Sequence, residues 1–472
     1  MYLTLDVNIQ KIAEEYLKEG VEGCGATAGS VILMKPKTGD ILAMATYPDY
    51  NLNEPFTINN DEDKENWDTY PQTERSAKLQ SMWQDRNFSK TYEPGSTFKL
   101  IVSAAALEEG AITTDKANDF HCEGSYKVVD DEKPIACAGY EVHGNQSLRT
   151  ALRNSCNAAF MQLGKNLGAT KLYKYFDAFG LFEKTGVGIT GDSGSSFHPL
   201  NKVGPIELAV TSFGQRFEIT PLQLITAVSA ISNGGTLIQP RIVKQVENNN
   251  TGIVTEIEST EVRRVISEDT SKKLRDMMKT AVEGRENTYG NVIGYSIGGK
   301  TGTSEPSINH PEEGYAVSYL AVAPADEPEV IGLVVIYNPD VENPYGSRIA
   351  APILSKILTD VLPYMGIASD KSNTSSAGAV SAKTTKVPDV INKTVTEAKK
   401  ALENLGYKVI TKDNGNNNSI LVTEQVPAKG SVVIDGATIV LYTEENNVRT
   451  SVTVPNLIRK NITRSENRAC EQ

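Results

Sequence analysis

The 472-residue sequence has few cysteines and histidines, and none is spaced like the ligands of a common zinc motif. It contains five cysteines and four histidines. They are Cys24, Cys122, Cys137, Cys156, Cys470, His121, His143, His198 and His310. No Cys-x-x-Cys pair occurs, so no zinc site is expected. Cys122 and Cys137 flank a short polar segment, and a disulfide or two free thiols both stay open. Cys156 has no histidine beside it and is interpreted as small buried packing rather than as a nucleophile.

The sequence also lacks an excess of positive charge and any long hydrophobic run. Its formal net charge of -12 argues against nucleic acid as a partner, because a phosphate-binding protein needs a basic face. No apolar run reaches about 18 residues, so neither a membrane span nor a signal peptide is predicted. The chain opens directly in a strand-like segment, from which we expect that it begins inside a longer protein. Its 472 residues suggest two or three domains.

The hydrophobic pattern predicts an α/β (α+β) unit in which one sheet is interrupted by a helical insertion. Strands are predicted at residues 29–34, 41–45, 295–301, 316–323 and 330–337. Helical periodicity prevails between the second and third of these strands, with residues 148–167 predicted as one helix. A helix over residues 350–362 closes the unit. The acidic run at residues 61–65 is predicted to be a solvated loop.

A smaller unit is predicted after a linker. Residues 366–386 are rich in Ser, Thr, Ala, Gly and Lys, which is typical of a flexible linker. An amphipathic helix and three strands are then predicted at residues 395–405, 408–411, 420–425 and 438–442. The segment Val454-Pro455-Asn456-Leu457 repeats the opening Val387-Pro388-Asp389-Val390. Because the second copy ends before its strands, we expect the tail to be poorly ordered.

The segment Tyr92-Glu93-Pro94-Gly95-Ser96-Thr97-Phe98-Lys99 carries a serine and a lysine spaced for catalysis. A proline and a glycine precede Ser96 and an apolar run follows it, which predicts that Ser96 lies near the start of a buried helix. Lys99 lies three residues later, so its amine shares the face of Ser96 and can reach the hydroxyl. A lysine with a lowered pKa can take the serine proton, which makes the pair a candidate nucleophile and base.

A second candidate motif is Ser155-Cys156-Asn157. Ser155 could pass a proton between Lys99 and a leaving amine, and the Asn157 amide could hold a substrate carbonyl and Lys99 in place. Taken alone, the motif is equally typical of helix capping.

A third motif, Gly298-Gly299-Lys300-Thr301-Gly302-Thr303-Ser304, is predicted at a strand edge. Lys300 supplies a fixed positive charge, and the hydroxyls of Thr301 and Thr303 project to one face, where they could bind a carboxylate. The glycines let a peptide add alongside as an extra strand. The backbone N–H groups of Ser96 and Thr303 would then suit an oxyanion hole. An ordinary glycine-rich turn is the alternative.

The three motifs occur in the order found in penicillin-binding proteins and class A β-lactamases. Residues 1–365 therefore resemble the transpeptidase domain of a class B penicillin-binding protein of the division or sporulation kind, truncated at its N-terminus. Two further segments support this resemblance, Gly214-Gln215 and Thr220-Pro221-Leu222-Gln223. Residues 387–444 resemble a PASTA domain, and residues 452–472 resemble a truncated second copy. The resemblance implies a fold similar to that of serine β-lactamases, with an antiparallel sheet and a helical insertion, followed by a small α+β PASTA module.

The resemblance implies a D,D-transpeptidase that cross-links peptidoglycan stem peptides through an acyl-enzyme on Ser96, is inhibited by β-lactams, and has D,D-carboxypeptidase as a possible side activity. Lys99 would be the general base. The remaining implied site residues are Ser155, Asn157 and Lys300 for catalysis and Thr301, Gly302 and Thr303 for substrate binding. No metal, organic cofactor or nucleic acid is implied. An upstream membrane anchor, a glycan-synthase partner and a place at the extracytoplasmic face of the bacterial membrane are expected.

Two other functions share these motifs. A serine β-lactamase would clear its acyl group rapidly with water, but it lacks a linker and a wall-type module. A non-catalytic β-lactam sensor would use the same fold, although the intact Ser96, Lys99 and Lys300 weaken that interpretation. The sequence also departs from many relatives in having Arg216 where they have a glycine after the glutamine.

Overall fold

The computed structural model describes residues 1–130, 132–248, 251–283, 290–306, 314–369, 384–412, 420–426, 429–430, 432–434 and 438–443. The chain divides into two compact units, Met1–Ala382 and Lys383–Gln472. The first unit contains two hydrophobic cores and the second unit contains one of its own. The expected linker at residues 366–386 lies mostly outside the described residues, and its last three residues form a strand, Thr384–Lys386. The second PASTA-like copy at residues 452–472 lies entirely outside them.

A five-stranded antiparallel sheet organises the first unit. Its strands in spatial order are Gly298–Ser304, Ala316–Ala323, Val330–Tyr337, Ala28–Met34 and Ile41–Tyr47. The predicted sheet of two early and three late strands is confirmed, although the first strand in this order begins at Gly298 rather than at residue 295. We call Gly298–Ser304 the edge strand, because it lies at one end of the sheet.

The two faces of the sheet belong to two different hydrophobic cores. Side chains alternate between faces along a strand, so Val31 and Leu33 pack into one core while Ile32 and Met34 pack into the other. The first core is covered by the two helices at the ends of the unit, and the second is filled by the helical insertion. The two terminal helices are Val7–Gly23 and Ala350–Tyr364.

The helical insertion is more varied than its sequence pattern predicts. Its α-helices are Asp61–Asn66, Gln72–Trp83, Lys99–Glu108, Leu148–Asn154, Asn157–Leu167, Ala169–Ala178, Pro205–Thr211, Pro221–Ser232 and Glu268–Val282. Short strands pair within it and beside it: Phe120–Cys122 with Gly144–Gln146, Ser125–Tyr126 with Ile135–Ala136, Thr236–Ile238 with Glu261–Arg264, and Val243–Glu247 with both Tyr2–Leu3 and Val254–Glu256. Single 3₁₀ turns are Trp67–Thr69, Gly95–Phe98, Ala138–Tyr140 and Leu200–Lys202.

The prediction of a loop at residues 61–65 was wrong, because these residues begin a short helix. The Asn60 side chain accepts a hydrogen bond from the Asp63 backbone N–H at 3.1 Å and caps the helix Asp61–Asn66. Acidic side chains near a helix N-terminus interact favourably with the helix dipole. The acidic run therefore has a local reason to be helical.

The prediction of one helix over residues 148–167 was also wrong, because the helix breaks at Ser155. Ser155 adopts a left-handed conformation with φ of 55°, which ends the helix Leu148–Asn154. Cys156 then caps the helix Asn157–Leu167, since its Sγ accepts a hydrogen bond from the Ala159 N–H at 3.4 Å. The break turns the side chains on either side of Cys156 toward Lys99.

The second unit is a small α+β module, as predicted. Its helix, Val395–Glu403, begins with a capping box formed by Thr394 and Glu397. Val390, Leu402 and other apolar side chains form its core. Its strands are Lys408–Lys412, Thr438–Thr443, Val422–Val426, Thr384–Lys386 and Val432–Ile434. Across the parts of the chain that the structure describes, no helix combines the length and hydrophobicity that crossing a bilayer requires.

Candidate active site

Ser96 lies at the junction of a tight turn and a buried helix. The turn is the 3₁₀ segment Gly95–Phe98, and the helix Lys99–Glu108 follows without interruption. The Gly95 backbone N–H donates to the Gly214 carbonyl at 2.9 Å. The predicted position of Ser96 near a helix start is therefore found, and the geometry presents Ser96 and Lys99 on the same side of the turn.

Lys99 connects the first two motifs. Its Nζ lies 3.0 Å from Ser96 Oγ, 2.7 Å from Asn157 Oδ1 and 2.6 Å from the main-chain carbonyl of Ser155. The Ser155 hydroxyl is also near, at 3.3 Å. The carbonyl contact is one that motif reasoning did not predict, because it depends on the left-handed turn at Ser155. The amine is thus held by two fixed oxygen acceptors and faces the serine hydroxyl.

The environment of Lys99 disfavours its charged form. The side chain is fully buried, and its Nζ lies 5.3 Å from the centre of the Phe160 ring. Burial lowers the pKa of the Lys99 ammonium from its ordinary 10.5 to about 7, although the neighbouring Cys156 and Cys137 thiols act in the opposite direction. A substantial fraction of the amine is therefore neutral, and available as a base, near neutral pH.

Lys300 brings the edge strand to the same network. Its Nζ donates to Ser155 Oγ at 2.9 Å and to the Thr301 carbonyl at 2.9 Å. Lys300 is only 4% exposed. Ser155 consequently lies between two lysine amines, one on the helix that follows Ser96 and one on the edge strand. The three predicted motifs, widely separated in sequence, meet within hydrogen-bond distance at this serine.

The main chain of the edge strand lies directly against the turn that carries Ser96. A methyl group at Gly95 would come within 2.7 Å of the Thr303 carbonyl, and one at Gly302 would come within 2.9 Å of the Pro94 carbonyl. Thr301 and Thr303 are half-buried, and Thr303 Oγ1 accepts a hydrogen bond from the Gly346 N–H at 3.3 Å. Gly95 and Gly302 therefore let the edge strand and the Ser96 turn approach closely, whereas the addition of a peptide along the strand stays a prediction.

The loop at Arg216 supports the turn from another side. Arg216 has φ of 62°, a left-handed conformation that a glycine adopts without steric cost. Its backbone N–H donates to the carboxylate of Glu93. Burial raises the pKa of Glu93 to about 7, and that hydrogen bond acts against the shift. The arginine after Gln215 thus keeps the backbone conformation that glycine would have there, at some cost in strain.

Family comparison agrees with this arrangement. A model described as "Penicillin binding protein transpeptidase domain" matches residues 29–359, a range that includes all three motifs. The chain belongs to this family. A PASTA-domain model matches residues 385–445. The recognition of a transpeptidase domain followed by a PASTA domain is confirmed, and so is the predicted fold class.

Individual relatives of this transpeptidase domain are known. The chain is 34% identical to stage V sporulation protein D of Bacillus subtilis over 95% of its own length and 66% of that protein. It is 28% identical to the probable peptidoglycan D,D-transpeptidase PenA of Neisseria gonorrhoeae, over 79% of the chain and 58% of that protein. The D,D-transpeptidase domain of a peptidoglycan glycosyltransferase from Eggerthella lenta has a similar structure, with a TM-score of 0.65 and 26% identity over 77% of this chain and 83% of that one. The chain therefore spans about two thirds or less of these two curated relatives.

Proposed function

We propose that this chain is the catalytic part of a peptidoglycan D,D-transpeptidase that works through an acyl-enzyme on Ser96. The observation that carries the proposal is the 3.0 Å contact between Lys99 Nζ and Ser96 Oγ, made by an amine that is fully buried. A serine next to a desolvated amine is an activated nucleophile. The names of the relatives, which include peptidoglycan D,D-transpeptidases, support the same reaction.

The hydrogen bonds of Lys99 suit the role of a general base. A neutral amine has two N–H donors and one lone pair, and the Asn157 Oδ1 and the Ser155 carbonyl accept from Nζ at 2.7 Å and 2.6 Å. These two acceptors use both hydrogens, which leaves the lone pair for the Ser96 hydroxyl proton. Ser96 Oγ then attacks the carbonyl between the last two D-Ala residues of a stem peptide, forming an ester.

The leaving D-Ala needs a proton when the peptide bond breaks. Ser155 Oγ lies 3.3 Å from Lys99 Nζ and 2.9 Å from Lys300 Nζ, so it can pass the proton taken by Lys99 to the departing amine. The free amino acid departs and the acyl group stays on Ser96. The amine of a neighbouring stem peptide attacks the ester in the second step, which restores the Ser96 hydroxyl and leaves a new peptide cross-link.

The edge strand supplies the substrate-binding surface in this proposal. The stem peptide is added beside Gly298–Ser304 as an extra strand. The positive charge of Lys300 and the hydroxyls of Thr301 and Thr303 bind its terminal carboxylate. Thr303 Oγ1 accepts a hydrogen bond from the Gly346 N–H at 3.3 Å. The hydrogen of the Thr303 hydroxyl can therefore donate to that carboxylate. The N–H groups of Ser96 and Thr303 stabilise the oxyanion, and Gly302 lets the two backbones approach.

The domain division and the cellular setting are parts of the same proposal. We divide the chain into a transpeptidase domain at residues 1–365, a linker at residues 366–386, a PASTA domain at residues 387–444 and a partial second PASTA copy at residues 452–472. The substrate is found outside the bacterial cytoplasm, so the chain acts at the extracytoplasmic face of the membrane. A membrane anchor and a glycan-synthase partner complete the enzyme there.

Labelling with a fluorescent penicillin tests the proposal. The full chain is incubated with the reagent, and the bound label is followed over time by gel fluorescence and intact-mass spectrometry. We expect one label per chain, released slowly, and none on Ser96→Ala. Thr97→Ser is the matched control, because it removes only a methyl group from a neighbouring buried side chain and leaves Ser96 in place. Rapid turnover of the reagent would instead identify a β-lactamase, and persistent labelling of Ser96→Ala would show that another residue is acylated.

A further inference from the structure

Four potential metal ligands cluster around Cys156, the central residue of the Ser155-Cys156-Asn157 motif. They are Cys122, Cys137, His143 and Cys156, and their ligand atoms all lie within 4.8 Å of one another. The three cysteines are free, and at most 3% of each is exposed. The His143 side chain is 11% exposed. Three buried sulfurs and one imidazole are the ligand set of a common type of structural zinc site.

Three of the six distances between these atoms are close to the edges of a tetrahedron of zinc ligands, and the others are at most 4.8 Å. Cys122 Sγ lies 3.6 Å from Cys137 Sγ and 3.5 Å from His143 Nδ1, and Cys137 Sγ lies 3.8 Å from Cys156 Sγ. Zinc bonds of about 2.3 Å to sulfur and about 2.0 Å to nitrogen give tetrahedral edges of about 3.8 Å and about 3.5 Å. We propose that Cys122, Cys137, His143 and Cys156 bind one structural Zn²⁺ ion.

Backbone N–H groups surround the three sulfurs, the atoms that bind zinc as thiolates. Each sulfur accepts a hydrogen bond from a backbone N–H at 3.4 Å. The donors are Gly124 for Cys122, Ala158 for Cys137 and Ala159 for Cys156. Two of these donors belong to the first turn of the helix Asn157–Leu167, whose N-terminus favours negative charge. Binding releases the thiol protons to solvent and leaves the sulfurs bonded to the metal.

The histidine is oriented as a zinc ligand. His143 Nε2 lies 3.4 Å from a carboxylate oxygen of Glu141. Zinc-binding histidines usually donate their second ring N–H to a carboxylate or carbonyl, which fixes the tautomer. With the proton on Nε2, the lone pair of Nδ1 faces the three sulfurs. The contact between His143 and Glu141 is therefore the supporting contact expected of a histidine that binds zinc.

The site is closed and lies next to the catalytic network. Four protein ligands fill a tetrahedral zinc ion, so no position is left for substrate, and the ion has a structural role. Cys156 lies between Ser155 and Asn157, both of which contact Lys99. The other ligands come from the short strands and turns at residues 120–146. Zinc would thus link residues 120–146 to the helix break at Ser155, and this break positions Ser155 and Asn157.

The sequence did not reveal the site because its ligands have no motif spacing. Cys122 and Cys137 are 15 residues apart, and Cys137 and Cys156 are 19 apart. The expectation that no zinc site exists, and the interpretation of Cys156 as packing, both rested on local spacing alone. The pairing of Phe120–Cys122 with Gly144–Gln146 and the helix break at Ser155 bring the ligands together.

Metal analysis of the purified full chain tests the proposal. The protein is expressed with added zinc, purified without chelators, and analysed for metals and for free thiols. We expect about one zinc per chain, released when an organomercurial reagent titrates the thiols. A Co²⁺-loaded sample should show the intense charge-transfer band of cobalt–thiolate bonds. Zinc-free protein with free thiols, or with a disulfide between Cys122 and Cys137, would overturn the proposal.

Two pairs of variants separate the site from general effects of mutation. His143→Ala and Cys122→Ser should retain less than a tenth of the zinc. His121→Ala and Cys24→Ser should retain all of it, because His121 is an exposed neighbour that contacts Asn145 and Glu123, and Cys24 lies outside the cluster. Equal zinc content in His143→Ala and His121→Ala would contradict the assignment. The metal readout does not depend on Ser96 chemistry, so it stands or falls separately from the proposed function.

A second readout tests the positioning role of the metal. If zinc holds Ser155 and Asn157, the penicillin acylation rate of His143→Ala should fall at least tenfold relative to His121→Ala, with the melting temperature lowered as well. Re-addition of zinc to chelator-treated wild-type protein should restore the rate. A zinc-free wild-type chain that acylates at the full rate would overturn the positioning role.

Discussion

The lowered pKa of Lys99 predicts how the rate of acylation depends on pH. Lys99 acts as a base only when its amine is neutral, so the rate should rise with pH and level off above the pKa of that amine. Burial brings this pKa from 10.5 to about 7. The perturbation needed is therefore only a change of buffer.

The size of the effect follows from the pKa. With a pKa of about 7, about half of the amine is neutral at pH 7 and about 1% at pH 5, a ~50-fold difference in rate. An ordinary lysine with a pKa of 10.5 would be only about 0.03% neutral at pH 7, and its rate would keep rising tenfold per pH unit to pH 9 and beyond. The two cases differ most between pH 8 and pH 9, where the first has reached its plateau.

The assay is the second-order rate of labelling by a fluorescent penicillin between pH 5 and pH 9. Circular dichroism at each pH checks that the protein stays folded. Glu93 is the group that could imitate this profile, because burial raises its pKa to about 7 as well. Glu93→Gln removes that titration, so its profile should keep a midpoint near pH 7. A rate that still climbs tenfold per unit above pH 8, or a midpoint lost in Glu93→Gln, would refute the assignment to Lys99.

Three other predictions concern the surroundings of Ser96. Lys300→Gln should slow acylation about 10–100-fold, because it removes a charged hydrogen-bond donor. The control Lys356→Gln changes an exposed lysine paired with Glu19 and should leave the rate unchanged. Equal rates in the two variants would contradict the role of Lys300. Arg216→Gly should raise the free energy of unfolding by about 1 kcal/mol, because it removes the strain of a left-handed backbone conformation, and Arg216→Ala should not. Thermal or urea denaturation compares the two variants, and equal effects would exclude strain as the cause. Deletion of residues 384–472 should leave the acylation rate within about twofold, because each unit has its own core; a larger loss would show that the second unit supports the first.

Regular elements with strong periodicity could be predicted well from the sequence. The strands Ala316–Ala323 and Val330–Tyr337 match their predicted ranges, since both are almost wholly apolar and are buried between two cores. The helix Pro221–Ser232 also carries a local start signal, a threonine cap followed by a proline at the first helical position. The three motifs were found because their residue types and order are specific in combination.

The features that were missed depend on backbone conformations and contacts that a local pattern does not encode. Residues 148–167 carry helical periodicity on both sides of Ser155, so nothing in the apolar spacing signals a left-handed residue there. The contact of Lys99 with the Ser155 carbonyl follows from that break and was missed with it. The cysteine and histidine cluster was missed because long-range strand pairing, rather than sequence spacing, assembles it.

Main-chain atoms pack directly against the turn that carries Ser96, and this packing limits how the site can change in evolution. Because Gly95 and Gly302 are packed against carbonyl oxygens, a larger residue at either position would push apart the parts that catalysis needs together. Substitutions that change what the site binds without disturbing this contact must therefore fall on side chains rather than at these two glycines.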